Sequence, residues 1–192
     1  MPLARLLRDV RGCQVCLATL PFGCRPVLQV ASTARLLIIG QAPGSKVHWS
    51  GIPWNDASGD RLRAWLSLNR SVFYDASKVA ILPMGLCYPG AGENGADKPP
   101  RPECAPLWHE RLLRHLPDIR LTILLGQYAQ RYYLTSRRKG SLTETVYAFS
   151  EYTPEFFPLP HPSWRSAVWM RKHPWFAKTV VPELRKAVRK LI

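Results

Sequence analysis

The chain has 192 residues, 46% of them hydrophobic, enough for one ordinary domain with a real core and too few for a second. Lysine and arginine number 27 against 13 acidic residues, a formal charge of +14; this points to a polyanion such as nucleic acid, unless the excess merely solvates the surface. No apolar run reaches membrane-spanning length, and Met1 to Arg11 alternates leucine with arginine where a signal peptide would be continuously apolar, so a cytoplasmic monomer with no membrane partner is expected.

In chain order, residues 2–11 read as a short amphipathic helix that leads to Cys13-Gln14-Val15-Cys16. A C-x-x-C pair serves zinc ribbons, redox motifs and cluster sites alike, and the flanking strand and helix of a thioredoxin-like motif are not visible. Residues 17–34, with Pro21, Gly23 and Pro26, read as irregular surface chain. Leu36-Leu37-Ile38-Ile39 is short and rich in branched side chains, which predicts a buried strand. The loop that follows, beginning at Gly40, is too long for an economical connection, and in a parallel sheet it would lie at the carboxyl end of a strand, where ligands bind. A helix is predicted over 58–68, with Leu62, Trp65 and Leu66 on one face and Ser58 placed to cap it.

Val79-Ala80-Ile81-Leu82 predicts a second buried strand, ending at Pro83 and followed by Cys87. Residues 88–103, with Pro89, Pro99, Pro100 and Pro102 and little hydrophobic content, must be a loop, closed by Cys104 at the head of a helix through Trp108, Leu112 and Leu113. Such a loop needs something besides a core to fix its ends. Thiolates at Cys87 and Cys104 gripping a metal would do so, with Cys13 and Cys16 completing a tetrahedral set. Zinc and a 4Fe-4S cluster both suit four thiolates, whereas purely structural cysteines fit poorly in polar, proline-rich surroundings. Cys24 has no partner in this scheme and reads as a bystander.

A third strand over Leu121–Leu125 ends at Gly126, and Tyr128 to Leu134 reads as helical. Strands alternating with helices in this rhythm mark an α/β fold with a parallel sheet covered on both faces. Residues 135–140 read as a basic, solvated loop. Phe156–Leu159 predicts a fourth strand that empties into Pro160-His161-Pro162-Ser163-Trp164-Arg165-Ser166, and the chain from Pro174 onward reads as helical with a bend at Pro182.

The strand ending in Gly40-Gln41-Ala42-Pro43-Gly44, the turn Ile52-Pro53-Trp54-Asn55-Asp56-Ala57-Ser58-Gly59 and the late strand ending in His161-Pro162-Ser163 together resemble the uracil-DNA glycosylase superfamily. The four-cysteine arrangement resembles its iron-sulfur branches, and the motifs follow in order over close to the full chain. The resemblance implies a three-layer α/β/α sandwich with a central four-stranded parallel sheet, a single domain over 1–192. It also implies a DNA substrate: a nucleotide carrying uracil or a related deaminated base is flipped out and its N-glycosidic bond hydrolysed. His161 matches the motif histidine whose neutral ring donates to O2 of the departing uracil, where negative charge develops. Trp54 matches the phenylalanine that stacks on the flipped base, its other reading being a core aromatic. Gly40, Gln41, Ala42 and Ser163 fall at positions facing the substrate, Ser163 and the backbone around Gly44 and Ser45 at positions holding target-strand phosphates, and Trp164 and Arg165 in the segment that enters the duplex.

The sequence departs from the pattern at three points. Relatives most specific for uracil carry Glu at the position of Gln41 or Asp at that of Ala42; the nearest substitute here is Asp56, which resembles the Asp of a related Gly-Asp-Ala-Ser-Gly turn and orients water or stabilises the oxocarbenium, or else simply caps a helix. Pro83 stands where a uracil-reading Asn is expected, and Trp164 and Ser166 replace Pro and Asn in the last motif. A second reading is therefore a metal-containing nucleic-acid-binding protein on the same scaffold with little or no excision. Only Lys46 among lysines lies in the motif loops, which favours a monofunctional enzyme over a lyase. A zinc-dependent deaminase would need His-x-Glu, and His48 is followed by Trp49-Ser50.

Overall fold

Successive side chains of a strand point to opposite faces, so a strand covered on both sides must be apolar throughout. Four strands meet that condition at every position but Thr122 in the computed structural model, which describes residues 1–93 and 95–192: β1 (Leu36–Ile39), β2 (Val79–Ile81), β3 (Leu121–Leu125) and β4 (Phe156–Leu159). They form a wholly parallel sheet in the order β2-β1-β3-β4, with Ile38 level with Ile81 on one side and Ile123 on the other. The helices are α1 (Leu3–Arg11), α2 (Ser45–Ser50), α3 (Ala57–Leu66), α4 (Arg70–Phe73), α5 (Cys104–Leu113), α6 (Gly126–Leu134), α7 (Leu142–Tyr147), α8 (Arg165–Lys172) and α9 (Val181–Arg189).

The alternation divides the core into two layers. Leu36, Ile38, Ile123 and Phe157 pack with Leu62, Trp65 and Leu66 of α3 and Leu184 and Val188 of α9. Leu37, Ile39, Ala80 and Leu124 pack with Leu6 and Val10 of α1, Trp108 and Leu112 of α5 and Ala129 of α6. Each fully buried leucine or isoleucine contributes about 1.5–3 kcal/mol, and β1 supplies four from four consecutive positions. The result is the three-layer α/β/α sandwich expected from the sequence. Successive crossovers from β1 run to opposite sides of the sheet, to β2 and then to β3, which makes the carboxyl end of β1 a topological switch point.

Several local expectations are corrected. Residues 17–34 are not simply surface chain: Val27 and Ala34 are buried, and Gln29 exchanges backbone hydrogen bonds with Ile81, covering the open edge of β2. The long loop after β1 contains a helix, α2, that begins after Gly44 and ends at Gly51. The cap of α3 is Asp56, not Ser58, and the helix spans Ala57–Leu66. The expected bend at Pro182 is a π turn over Phe176–Val180, placed so that Pro182, which lacks an N–H, opens α9.

Candidate active site

A cavity of about 230 Å³ opens at the carboxyl ends of the strands, walled by Gly40 to Gly44, by Trp54 and Asp56, and by His161, Ser163, Trp164 and Arg165. The motif loops that are remote in sequence thus meet in one place. Backbone hydrogen bonds fix the chain after β1 against the chain after β2: Met84 N–H donates to the Gly40 carbonyl and Gly85 N–H to that of Gln41, both at 2.9 Å.

Two glycines create the place for Trp54. A Cβ on Gly40 would lie 2.7 Å from Cζ2 of Trp54, and one on Gly59 only 1.7 Å from the Trp54 carbonyl oxygen. That carbonyl accepts from Arg63 Nη1 at 3.2 Å and from the Tyr74 hydroxyl at 3.3 Å, holding Trp54 at φ 55°, a left-handed conformation that a tryptophan adopts only when its surroundings impose it. The half-buried indole packs on the core with one part and lines the cavity with another, its ring centroid 5.6 Å from that of His161. Trp54 is therefore in part a core aromatic and in part a wall of the cavity.

Asp56 caps a helix and also borders the cavity. Oδ1 accepts the Gly59 N–H at 2.8 Å and caps α3, while Oδ2 lies 4.0 Å from where a Cβ on Gly44 would stand, on the cavity wall. His161 follows β4 after one residue, Pro160. Gln130 Nε2 donates to the Leu159 carbonyl at 2.9 Å and Arg61 Nη1 to the Pro162 carbonyl at 3.0 Å, so the residues on both sides of His161 are tied to helices. Burial pushes the His161 pKa down to about 4 against the opposing pull of the Asp56 carboxylate, which leaves the ring neutral at pH 7.

At the mouth, Trp164 is 70% exposed and carries the Arg165 guanidinium 5.2 Å from its ring centroid, a cation–π pair facing solvent. The Ser163 carbonyl accepts from both the N–H and the hydroxyl of Ser166, so the serine that replaces asparagine in this motif closes the turn. Gly44 borders the cavity, whereas Ser45 lies exposed beyond its wall. Ala42 offers the cavity no side-chain polar group, and the Gln41 side chain is engaged elsewhere, donating to the Lys98 carbonyl at 3.1 Å. Pro83 also lines the cavity. Its carbonyl accepts from Nε2 of the buried His109, whose Nδ1 then accepts from the Tyr133 hydroxyl; burial pushes the His109 pKa down to about 4.

Among the lining residues, a second carboxylate was not expected. Asp97 enters the cavity from the proline-rich loop, its Oδ2 3.3 Å from the Cβ position of Gly44. Burial of its carboxyl, and next the charge of Asp56, raise its pKa above the ordinary aspartate value. No periodicity marks Asp97 in the sequence; the only clue is a carboxylate in a loop whose length demands a purpose.

A second, small pocket of about 20 Å³ collects the thiols. Cys13, Cys16, Cys87 and Cys104 line it with Leu86 and Trp108, and so does Cys24, which is no bystander. Burial pushes the thiol pKa of Cys87 up to about 12 and that of Cys104 to about 11, while Leu86 N–H donates to Cys104 Sγ at 3.3 Å. Thiolates in such surroundings require a positive partner, so the donor set suits a thiophilic metal centre. Among the described residues, no three Cys, His, Asp or Glu side chains are drawn into the grouping of a single-ion site.

The profile described as the uracil DNA glycosylase superfamily matches residues 28–185. The chain belongs to this superfamily. The match takes in all four strands, both motif loops and Asp97, and leaves Cys13, Cys16 and Cys24 outside it. Membership makes the protein a glycosylase-type hydrolase of DNA repair, with DNA as its partner. No helix among the described residues is long and apolar enough to cross a membrane.

Proposed function

We propose that this glycosylase is monofunctional and hydrolyses the N-glycosidic bond of uracil or a related deaminated base. The observation that carries the reading is the neutral, immobilised His161 beside Trp54, which with Asp56 lines a cavity large enough for a nucleobase. The flipped base stacks on the Trp54 indole. The His161 N–H donates to the base oxygen on which charge develops as the bond breaks, worth about a hundred-fold or more in rate. The Asp56 carboxylate, anchored through Oδ1 to α3, places negative charge beside the oxocarbenium-like sugar. Backbone groups at Gly40, Gln41 and Ala42 frame the base. Ser163 and the segment Gly44–Ser45 meet the phosphates of the target strand, with Trp164 and Arg165 beside the vacated stack.

Cys13, Cys16, Cys87 and Cys104 would hold a 4Fe-4S cluster, or zinc, and Cys24 stands in the same pocket. A centre there supplies a structural crosslink between the amino-terminal segment and both ends of the 88–103 loop. Because its cysteines lie apart in sequence from the motif loops, such a centre would have a structural role and not a catalytic one.

Gln41 favours the second reading, a nucleic-acid-binding protein with little excision, because its side chain brings no acid to the first motif and is occupied by Lys98. An abasic-site assay on a uracil-containing single strand and a hypoxanthine-containing duplex, using anaerobically purified protein, separates the two. Cleavage of either supports the glycosylase; salt-sensitive binding without cleavage supports the second reading.

A further inference from the structure

Hydrolysis needs a group that takes the proton of the attacking water. Asp56 has one oxygen committed to the Gly59 N–H, and Gln41 and Ala42 carry no acid. Asp97 enters no ion pair among the described residues and reaches the same patch of cavity wall, beside Gly44. Its loop is pinned at that place. Gln41 Nε2 donates to the carbonyl of Lys98, the residue next to Asp97, while Lys98 N–H donates to the Gly90 carbonyl at 2.9 Å and Gly92 N–H to that of Ala96 at 2.7 Å. The side chain at the first-motif position thus steadies a loop that carries an acid of its own into the site.

We propose that Asp97 is the general base of the reaction, its carboxylate taking a proton from water as the water oxygen bonds to the anomeric carbon of the flipped nucleotide. The inference rests on the glycosylase reading above. In this step an O–H bond of water breaks, the new C–O bond forms, and the C–N bond to the base breaks with its electron pair leaving on the base. The His161 N–H meets that developing charge. The proton stays on Asp97 until solvent or the departed base removes it.

The surroundings suit the task. Burial and the Asp56 charge raise the proton affinity of Asp97, and a more basic carboxylate is the better acceptor near neutral pH. Taking the proton also relieves the like-charge contact with Asp56. The other charged or titratable groups around Asp97 are Tyr88, whose hydroxyl is raised first by burial and then by Asp97 itself, the adjacent Lys98, and His161 and Arg165 on the cavity wall.

The test is single-turnover excision from the uracil single strand and the hypoxanthine duplex with wild type, Asp97→Asn and Asp97→Ala. Wild type is expected to cut at a rate that rises with pH along a limb centred above the ordinary aspartate range. Asp97→Asn should lose about a hundred-fold or more together with that limb, while melting and affinity for an abasic-analogue strand hold. Added formate should restore part of the rate to Asp97→Ala, which a purely structural role for Asp97 would not allow. Wild-type cleavage with an unimpaired Asp97→Asn, or no rescue by formate, overturns the role of Asp97 and leaves the glycosylase reading standing. No cleavage of either substrate by wild type removes both.

Discussion

The two pockets differ in what holds them together, although the 88–103 loop borders both. The cavity of about 230 Å³ is built on the sheet: its walls are strand ends and helix caps joined by backbone hydrogen bonds. The cysteine pocket of about 20 Å³ draws its thiols from the segment after α1, the turn after β2 and the start of α5, stretches that no strand pairing aligns. The first is a product of the fold, while the second gathers cysteines from parts that no strand pairing joins. His109 is one link between them: it stands on α5, the helix opened by Cys104, and holds the Pro83 carbonyl on the cavity wall.

The largest effect is expected from removing the proposed metal centre. Chelation, or Cys104→Ser, should cost several kcal/mol of stability in thermal melts and lower excision too, because the loop carrying Asp97 loses its anchorage. Substitutions in the larger cavity should leave metal content unchanged. An unshifted melt after metal loss would show that the sheet alone orders the loop.

Acid should act next, through the link between the pockets. The folded pKa of His109 is about 4, below the ordinary value of 6.5, so the unfolded chain binds more protons between these limits. Its contribution is complete above pH 6.5 and is lost as pH falls towards 4, about 3 kcal/mol in all. Denaturant titrations at pH 7 and pH 4, with wild type and His109→Gln, should show that loss, with the variant less pH-sensitive.

His161→Ala should lower single-turnover excision about a hundred-fold or more, close to 3 kcal/mol of transition-state stabilisation, with metal content and melting retained. Full activity in that variant would remove the assigned role. The smallest effect is expected from Gln41→Ala, which deletes one hydrogen bond to the loop and should cost about 1 kcal/mol, read as a several-fold fall in excision without loss of DNA affinity. A fall in Gln41→Ala as deep as that of Asp97→Asn would mean that Gln41 itself touches the reacting groups.

Much of this organisation was open to reading from the chain alone, and the limit is physical. Leu36–Ile39 and Leu121–Leu125 announce buried strands because burial on both faces selects apolar, branched residues, with Thr122 the single polar one, and the glycine- and proline-rich motifs after β1 and β4 stand out because they interrupt that pattern. His161, Trp54 and Asp56 were found through these motifs and meet in the cavity. The sequence offers both Ser58 and Asp56 as caps, and they are equally good until the register of α3 is known. The same reading missed α2, a helix of six residues too short to show an amphipathic period.

Other features carry no local signature. Asp97 reaches Gly44, Gln41 reaches Lys98, Gln29 pairs with Ile81 and Cys24 joins the other thiols only because residues far apart in the chain are brought side by side. Side-chain patterning records which residues must be buried and where the chain must turn, since both are local demands on each residue's chemistry. Which loop supplies an acid to another's motif depends on how the loops lie across the sheet, and that is settled only when the strands pair and the helices pack.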